Sequence, residues 1–255
     1  MTELSLEPLD LAALLCSRVC HDVISPVGAI VNGLEVLEDE KDADMRAFAL
    51  ELIKKSARTA SARLQFCRLA FGAAGSAGAA IDTGDAENVT RGLIADDRTR
   101  LDWNAPRILL AKNKVKLVLN MCLIAAAAIP RGGVIAVTIH DDGAELTVEA
   151  KGVNARVAAH VPGLLAGAPE AGSVDAHGIQ AYYTGLVARD SGLALDLKSG
   201  PDHVRLSARA KPAAPAQPDA ETPTEPAQPV EGGAPVGTAA ADAARYAGDD
   251  ATKDV

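Results

Sequence analysis

His21 stands in the run His21-Asp22-Val23-Ile24-Ser25-Pro26, where residue type and position together offer chemistry. On an α-helix each residue advances about 100°. On that wheel Ala12, Cys16, Val19, Val23, Ile30, Leu34 and Leu37 form one apolar stripe, by steps of three, four or seven. His21 lies roughly opposite, among Leu14, Ser17, Ser25, Gly28 and Asn32, which are mostly small or polar. An imidazole shown to solvent from the middle of a long amphipathic helix is available to react. Ordinary imidazoles titrate near pH ~6.5, so the neutral, nucleophilic form is abundant at neutral pH. Asp22, one step round the wheel, is placed to accept a hydrogen bond from the second ring nitrogen and fix the tautomer. Pro26 has no N–H, so the carbonyl of Asp22 loses its helical partner and the helix is expected to bend or loosen just after His21. Gly28 leaves room on the same face for an incoming helix, and Leu14 offers an apolar contact there that ordinary packing would use equally well.

Other reactive side chains make no comparable pattern. His140, His160, His177 and His203 are scattered, none at zinc-like spacing from Cys, Asp or Glu, and all four read as structural. Cys16-x-x-x-Cys20-His21 is superficially like a c-type haem site, which needs two intervening residues rather than three. Ser17 and Ser25 have no base or oxyanion partner in sequence, which argues against a serine hydrolase.

The elements that must carry His21 follow from composition. The 255 residues are 48% hydrophobic but only 3% aromatic, so the core must be aliphatic and alanine-rich, which suits packed helices. A net charge of −9 argues against a nucleic-acid binder, and no direct nucleic-acid contact is expected. The four cysteines (Cys16, Cys20, Cys67, Cys122) lie in apolar, helix-like stretches with no secreted-type framework, so a reducing, cytoplasmic setting is expected. The first residues lack the pattern of a signal peptide. No run reaches about 18 apolar residues, and no membrane span is expected.

A first helix is expected from about Pro8 to Asp39, with Pro8 in the first turn. A second is expected from an Asp44 N-cap to about Phe71, with Phe48, Leu52, Leu64 and Cys67 at apolar positions and a basic, solvated face that includes Arg58 and Arg63. One hairpin buries two long apolar stripes poorly, whereas two hairpins make a four-helix bundle, so a homodimer is expected. Gly72 to Gly84 reads as a linker rich in Gly, Ala and Ser. Beyond it are expected a helix over Ala86–Thr99, a strand near Leu101–Trp103, a hydrophobic helix over Lys112–Ile129 and the strand Val134–Ile139. Asp141-Asp142-Gly143 should turn that strand into Glu145–Glu149, with a helix over Gly178–Asp190 and strands Leu193–Leu197 and His203–Ala208 to close. The fold class is therefore α+β: a helical hairpin forming a dimeric four-helix bundle, then an α/β sandwich with a mainly antiparallel sheet. The expected divisions are a hairpin over 1–75, a linker over 76–84, a sandwich over 85–210 and a Pro/Ala/acidic tail over 211–255. That tail holds seven of the fourteen prolines and eight acidic against three basic residues, too little apolar surface to offset the entropy of ordering.

His-Asp with Pro at the fifth position after His, on the first helix of a hairpin that precedes an α/β sandwich, resembles the dimerisation and phosphotransfer domain of histidine kinases. The stretch Arg18-Val19-Cys20-His21-Asp22-Val23-Ile24-Ser25-Pro26-Val27-Gly28-Ala29-Ile30 is closer still to the ChpT-type histidine phosphotransferases, which keep the kinase architecture without ATP-dependent autophosphorylation. The resemblance covers residues 1 to about 210. It implies that His21 accepts phosphate from an aspartyl phosphate on the receiver domain of a hybrid histidine kinase and passes it to a response regulator. It implies also that magnesium comes with the receivers and that none is bound by this chain. Leu14, Arg18, Ser25 and Gly28 are then expected to dock the receivers, with Asp22 orienting the imidazole and Pro26 distorting the helix. The chain departs from an ATP-binding kinase at three places. Asn120 is followed four residues on by Ile124 rather than a second asparagine, and an aliphatic side chain cannot ligate a hard cation. Ala150-Lys151-Gly152-Val153-Asn154 stands where Asp-x-Gly-x-Gly would read adenine. His177-Gly178-Ile179-Gln180-Ala181 replaces the glycine-rich phosphate loop. ATP binding is therefore not expected. A divergent ATP-dependent histidine kinase and a non-catalytic dimeric adaptor for response regulators are the competing readings.

Overall fold

The computed structural model describes residues 4–72 and 79–210. Helix α1 runs from Pro8 to Asp39 and α2 from Ala43 to Ala70, antiparallel as a hairpin. The cap of α2 is Asp42 rather than Asp44: its carboxylate accepts from the Asp44 and Met45 amides at 3.0 Å each. Asp44 lies inside the first turn, where its charge still favours the helix N-terminus. Gly33 lets the two helices close: a Cβ there would stand 2.7 Å from Ile53 Cγ1.

After the hairpin come β1 (Ala80–Asp82), α3 (Thr83–Ile94), β2 (Thr99–Asn104), β3 (Leu109–Ala111), α4 (Lys112–Ala128) and β4 (Gly133–His140). The chain continues through β5 (Glu145–Lys151), α5 (Val161–Leu165), α6 (Ile179–Asp190), β6 (Leu193–Gly200) and β7 (His203–Ala210). Five strands form one sheet in the order β2-β4-β5-β7-β6, parallel only between β2 and β4, and β1 pairs with β3 separately. The expected α+β architecture is the observed one.

Three cross-strand rows fill the inner face: Ile135–Ala150–Val204, Val137–Val148–Leu206 and Ile139–Leu146–Ala208, all buried. Strand alternation puts every second residue on that face. Helix α4 lies over it and is buried on nearly all sides, from Val115 to Ala125. That is why its sequence is apolar without a clear stripe.

Several local expectations are corrected. Helix α3 begins at Thr83, not Ala86, because Asp82 caps it through the Gly84 amide at 2.7 Å, and it ends at Ile94. Of the stretch expected as linker, Ala80–Asp82 is a strand and Thr83 and Gly84 open α3, while residues 76–78 lie outside the described residues. Strands β1 and β3 and helix α5 were not foreseen, being too short to show a period. The tail over 211–255 also lies outside the described residues.

The apolar stripe of α1 is split between two directions. Val19, Val23, Ile30 and Leu37 are half-buried toward the hairpin partner, whereas Ala12, Cys16 and Leu34 are exposed. On α2, Phe48 and Leu64 are also exposed, at 67% and 50%. Among the described helices, α1 is long and apolar enough, by length and composition, to cross a membrane.

The hairpin is anchored to the sandwich at both ends. Leu4 donates to the Gly167 carbonyl at 2.8 Å and accepts from the Tyr182 hydroxyl at 2.8 Å. Leu6, Leu11, Leu14 and Leu15 pack on a small cluster of Leu164, Ile179, Ala181 and Tyr182. At the other end Phe66, Leu69 and Ala70 enter the main core, and Asn120 donates to the Ala70 carbonyl at 3.1 Å.

Candidate functional site

His21 projects from the middle of α1 with 69% of its side chain exposed. Its Nδ1 faces Asp22 Oδ1 at 3.6 Å, beyond hydrogen-bonding distance. The direct tautomer-fixing bond expected from sequence is therefore absent. Asp22 is instead held by Arg18, whose Nε donates to Oδ2 at 2.9 Å one helical turn away. Arg18, expected to dock a partner, is half-buried and spends its guanidinium on this pair.

Pro26 is buried, and α1 continues through it to Asp39. The Asp22 carbonyl that Pro26 orphans is not left open: Arg63 of α2 reaches across the hairpin and donates to it. This replaces the loosening expected after His21 and removes Arg63 from the solvated face, whereas Arg58 is exposed as expected. A proline whose i−4 carbonyl faces a neighbouring helix needs a donor from that helix, and this was the signal that could have found Arg63.

The surrounding face divides in two. Ser25 is exposed, and a Cβ on half-buried Gly28 would meet nothing within 4 Å, so this half is open. Leu14 is half-buried against the chain's own Tyr182 cluster, the ordinary-packing alternative for that residue.

His177, read from sequence as structural, lies against His21. Its ring centroid is 5.7 Å from that of His21, with the planes at 63°, an edge-on contact. It sits just before α6, where Asp175 Oδ1 accepts from the Gly178 amide at 2.7 Å and the His177 amide at 3.1 Å. The Gly178 bond above all, then the His177 bond, holds the Asp175 carboxyl below its ordinary 3.8. No sequence signal joins His21 to His177, because the contact depends on how α6 lies against α1.

Two cavities share Arg18 in their lining. One of about 280 Å³ has Arg18, Asp22 and Arg63 at its polar side and Phe66, Phe71 and Leu123 among its apolar walls. The other, of about 210 Å³, is lined by Arg18, Ile124, Arg156, His160, His177 and Gln180 among others. Asn120 is fully buried and its side chain is used: it donates to the Ala70 and Lys116 carbonyls and accepts from Gln180 Nε2 at 3.3 Å. Burial pushes the Cys67 thiol up to about 11 and the Cys122 thiol higher still. Among the described residues no group of three or more His, Cys, Asp and Glu side chains could hold a metal ion.

A helical stem that displays an imidazole beside a carboxylate, in front of a five-stranded α/β sandwich, is the arrangement of a histidine phosphotransferase. Residues 83–203 match the family model for the histidine phosphotransferase C-terminal domain. Over 206 residues the chain is 51% identical to the protein phosphotransferase ChpT of Brucella abortus (strain 2308), covering 80% of this chain and 97% of that one. A solved structure of a bacterial phosphotransferase superposes with a TM-score of 0.74 at 46% identity, covering 82% of this chain and all of that one. The chain belongs to the ChpT-type histidine phosphotransferases and is a protein phosphotransferase.

Proposed function

We propose that this protein is the histidine stage of a multistep phosphorelay, carrying phosphate on His21 from a phospho-aspartyl receiver domain of a hybrid histidine kinase to the aspartate of a response regulator. The observation that carries this reading is an imidazole with 69% of its side chain exposed and a carboxylate oxygen 3.6 Å from its Nδ1. The Nε2 lone pair attacks phosphorus in line, the P–N bond forms as the P–O bond to the receiver breaks, and the receiver leaves as a carboxylate. The Nδ1 proton stays on the ring, which is now cationic, and Asp22 stabilises that charge from 3.6 Å. Arg18 orients Asp22, and Arg63 holds the turn that carries both residues. Transfer to the second receiver reverses these steps. Ser25 and Gly28 belong to the docking face.

The chain acts without ATP. Asn120 is committed to packing, and Ile124 lies where a second oxygen ligand would be needed, so the donor set does not fit a magnesium nucleotide. Magnesium is supplied by the receivers. The protein works as a cytoplasmic homodimer. Ile24, Val27, Val31 and Leu34 are exposed along one edge of α1, with Cys16 and Cys20 continuing that edge, and Met45, Phe48 and Leu64 are exposed on α2. A second hairpin covers these edges as a four-helix bundle.

The test is a reconstituted relay. With a labelled phospho-receiver and an unlabelled response regulator, label should cross only when the protein is present and should stop with His21→Ala. Incubation with labelled ATP alone should leave the protein unlabelled. Transfer that survives His21→Ala refutes the reading.

A further inference from the structure

We propose that His177 is a positioning residue for His21: its edge-on ring contact fixes the orientation in which His21 presents Nε2 to a receiver. The inference rests on His21 being the phosphoacceptor. An imidazole that is 69% exposed on a helix would otherwise sample several side-chain rotamers. Only orientations with Nε2 directed outward suit in-line attack, because a near-attack geometry demands aligned atoms. Asp22 bounds the ring on one side without a hydrogen bond, at 3.6 Å, so the carboxylate by itself does not lock it. The ring of His177, 5.7 Å away between centroids and inclined at 63°, bounds it from another direction.

The backbone that carries this ring is held in place. Asp175 accepts from the backbone amides of His177 and Gly178, which sets the turn before α6. Immediately beyond it Ile179 and Tyr182 are buried, and the Tyr182 hydroxyl donates to Leu4 at the entrance to α1. The segment bearing His177 is thus tied to the start of the chain leading into the helix that bears His21, which keeps the two backbones adjacent.

An aromatic edge-on contact is worth about two- to twelve-fold in an equilibrium constant. His177→Ala should therefore lower kcat for transfer from a phospho-receiver by about two- to twelve-fold, with KM for the receiver unchanged. His177→Phe, which keeps a ring edge at the same place, should recover most of the rate. Carbon-13 relaxation of the His21 ring should show a more mobile imidazole in His177→Ala and a restored one in His177→Phe, a readout that needs no phosphate. An unchanged kcat in His177→Ala, no recovery in His177→Phe, a KM effect in place of a kcat effect, or an equally ordered His21 ring in all three proteins would overturn the assignment. If His177→Ala takes label at the wild-type rate while His21→Ala takes none, only the positioning role fails. If the wild-type protein takes no label on His21, the phosphoacceptor reading fails as well.

Discussion

Replacing Arg63 with Met should destabilise the protein only while Pro26 is present. Pro26 removes the one N–H that would satisfy the Asp22 carbonyl within α1, and Arg63 supplies the substitute from α2. Without Arg63 this partly buried acceptor has no donor, a cost of about 1–3 kcal/mol. For a chain of this size each kcal/mol moves Tm by about 2–4 °C, so Arg63→Met should lower Tm by roughly 2–12 °C, with a central expectation of about 6 °C. In a Pro26→Ala background the helix regains its own N–H donor to that carbonyl. Arg63→Met should then cost no more than about 0.5 kcal/mol, the range of ordinary surface changes. The four proteins form a double-mutant cycle with an expected coupling of about 0.5–3 kcal/mol. Thermal and urea unfolding would be compared at fixed protomer concentration, since association shifts Tm by mass action. Equal losses in the two backgrounds would refute the claim that Arg63 acts through the carbonyl freed by Pro26.

Gly33→Leu should destabilise the hairpin by about 1–3 kcal/mol by overpacking, since even a Cβ meets Ile53 Cγ1 at 2.7 Å. Gly28→Ala, which has open space, should instead raise stability by up to about 1 kcal/mol through helix propensity; urea unfolding of both variants checks the contrast. Val31→Glu, at a residue 48% exposed on the uncovered edge of α1, should leave the helical circular dichroism intact and shift sedimentation from dimer to monomer. Asp175→Ala should lower Tm at neutral pH but not in acid. Because the folded carboxyl is held below 3.8, its contribution is full above that value and is lost as pH falls through the depressed one. The two Tm curves should therefore converge as pH falls below 3.8 and through the depressed value.

The sequence showed the long elements and the exposed position of His21 for one reason, that both depend on spacing along the chain. Helix α1 was legible to its ends because Pro8 opens it and the acidic turn after Asp39 closes it. Strands β4 and β5 were legible because Asp141-Asp142-Gly143 turns one into the other. The apolar edge of α1 was read as one core stripe, yet part of it has no cover within the chain, since periodicity shows which side is apolar but not what covers it. The site was less legible. Arg18 was read as a docking residue although its i,i+4 spacing from Asp22 is that of a helical ion pair, and Arg63 as solvated because nothing in spacing says that it caps the Asp22 carbonyl. His177 was read as structural because its relation to His21 is purely tertiary.

The central claim concerns one nitrogen atom and is tested most directly by finding the phosphate. The protein, mixed with a pre-phosphorylated receiver and quenched in alkali, would be digested for mass spectrometry and examined in parallel by phosphorus NMR. The account predicts a single phosphoramidate on the peptide bearing His21, bonded through Nε2, stable in base, lost in acid and absent from His21→Ala. Phosphate on any other peptide, or label retained by His21→Ala, would contradict it.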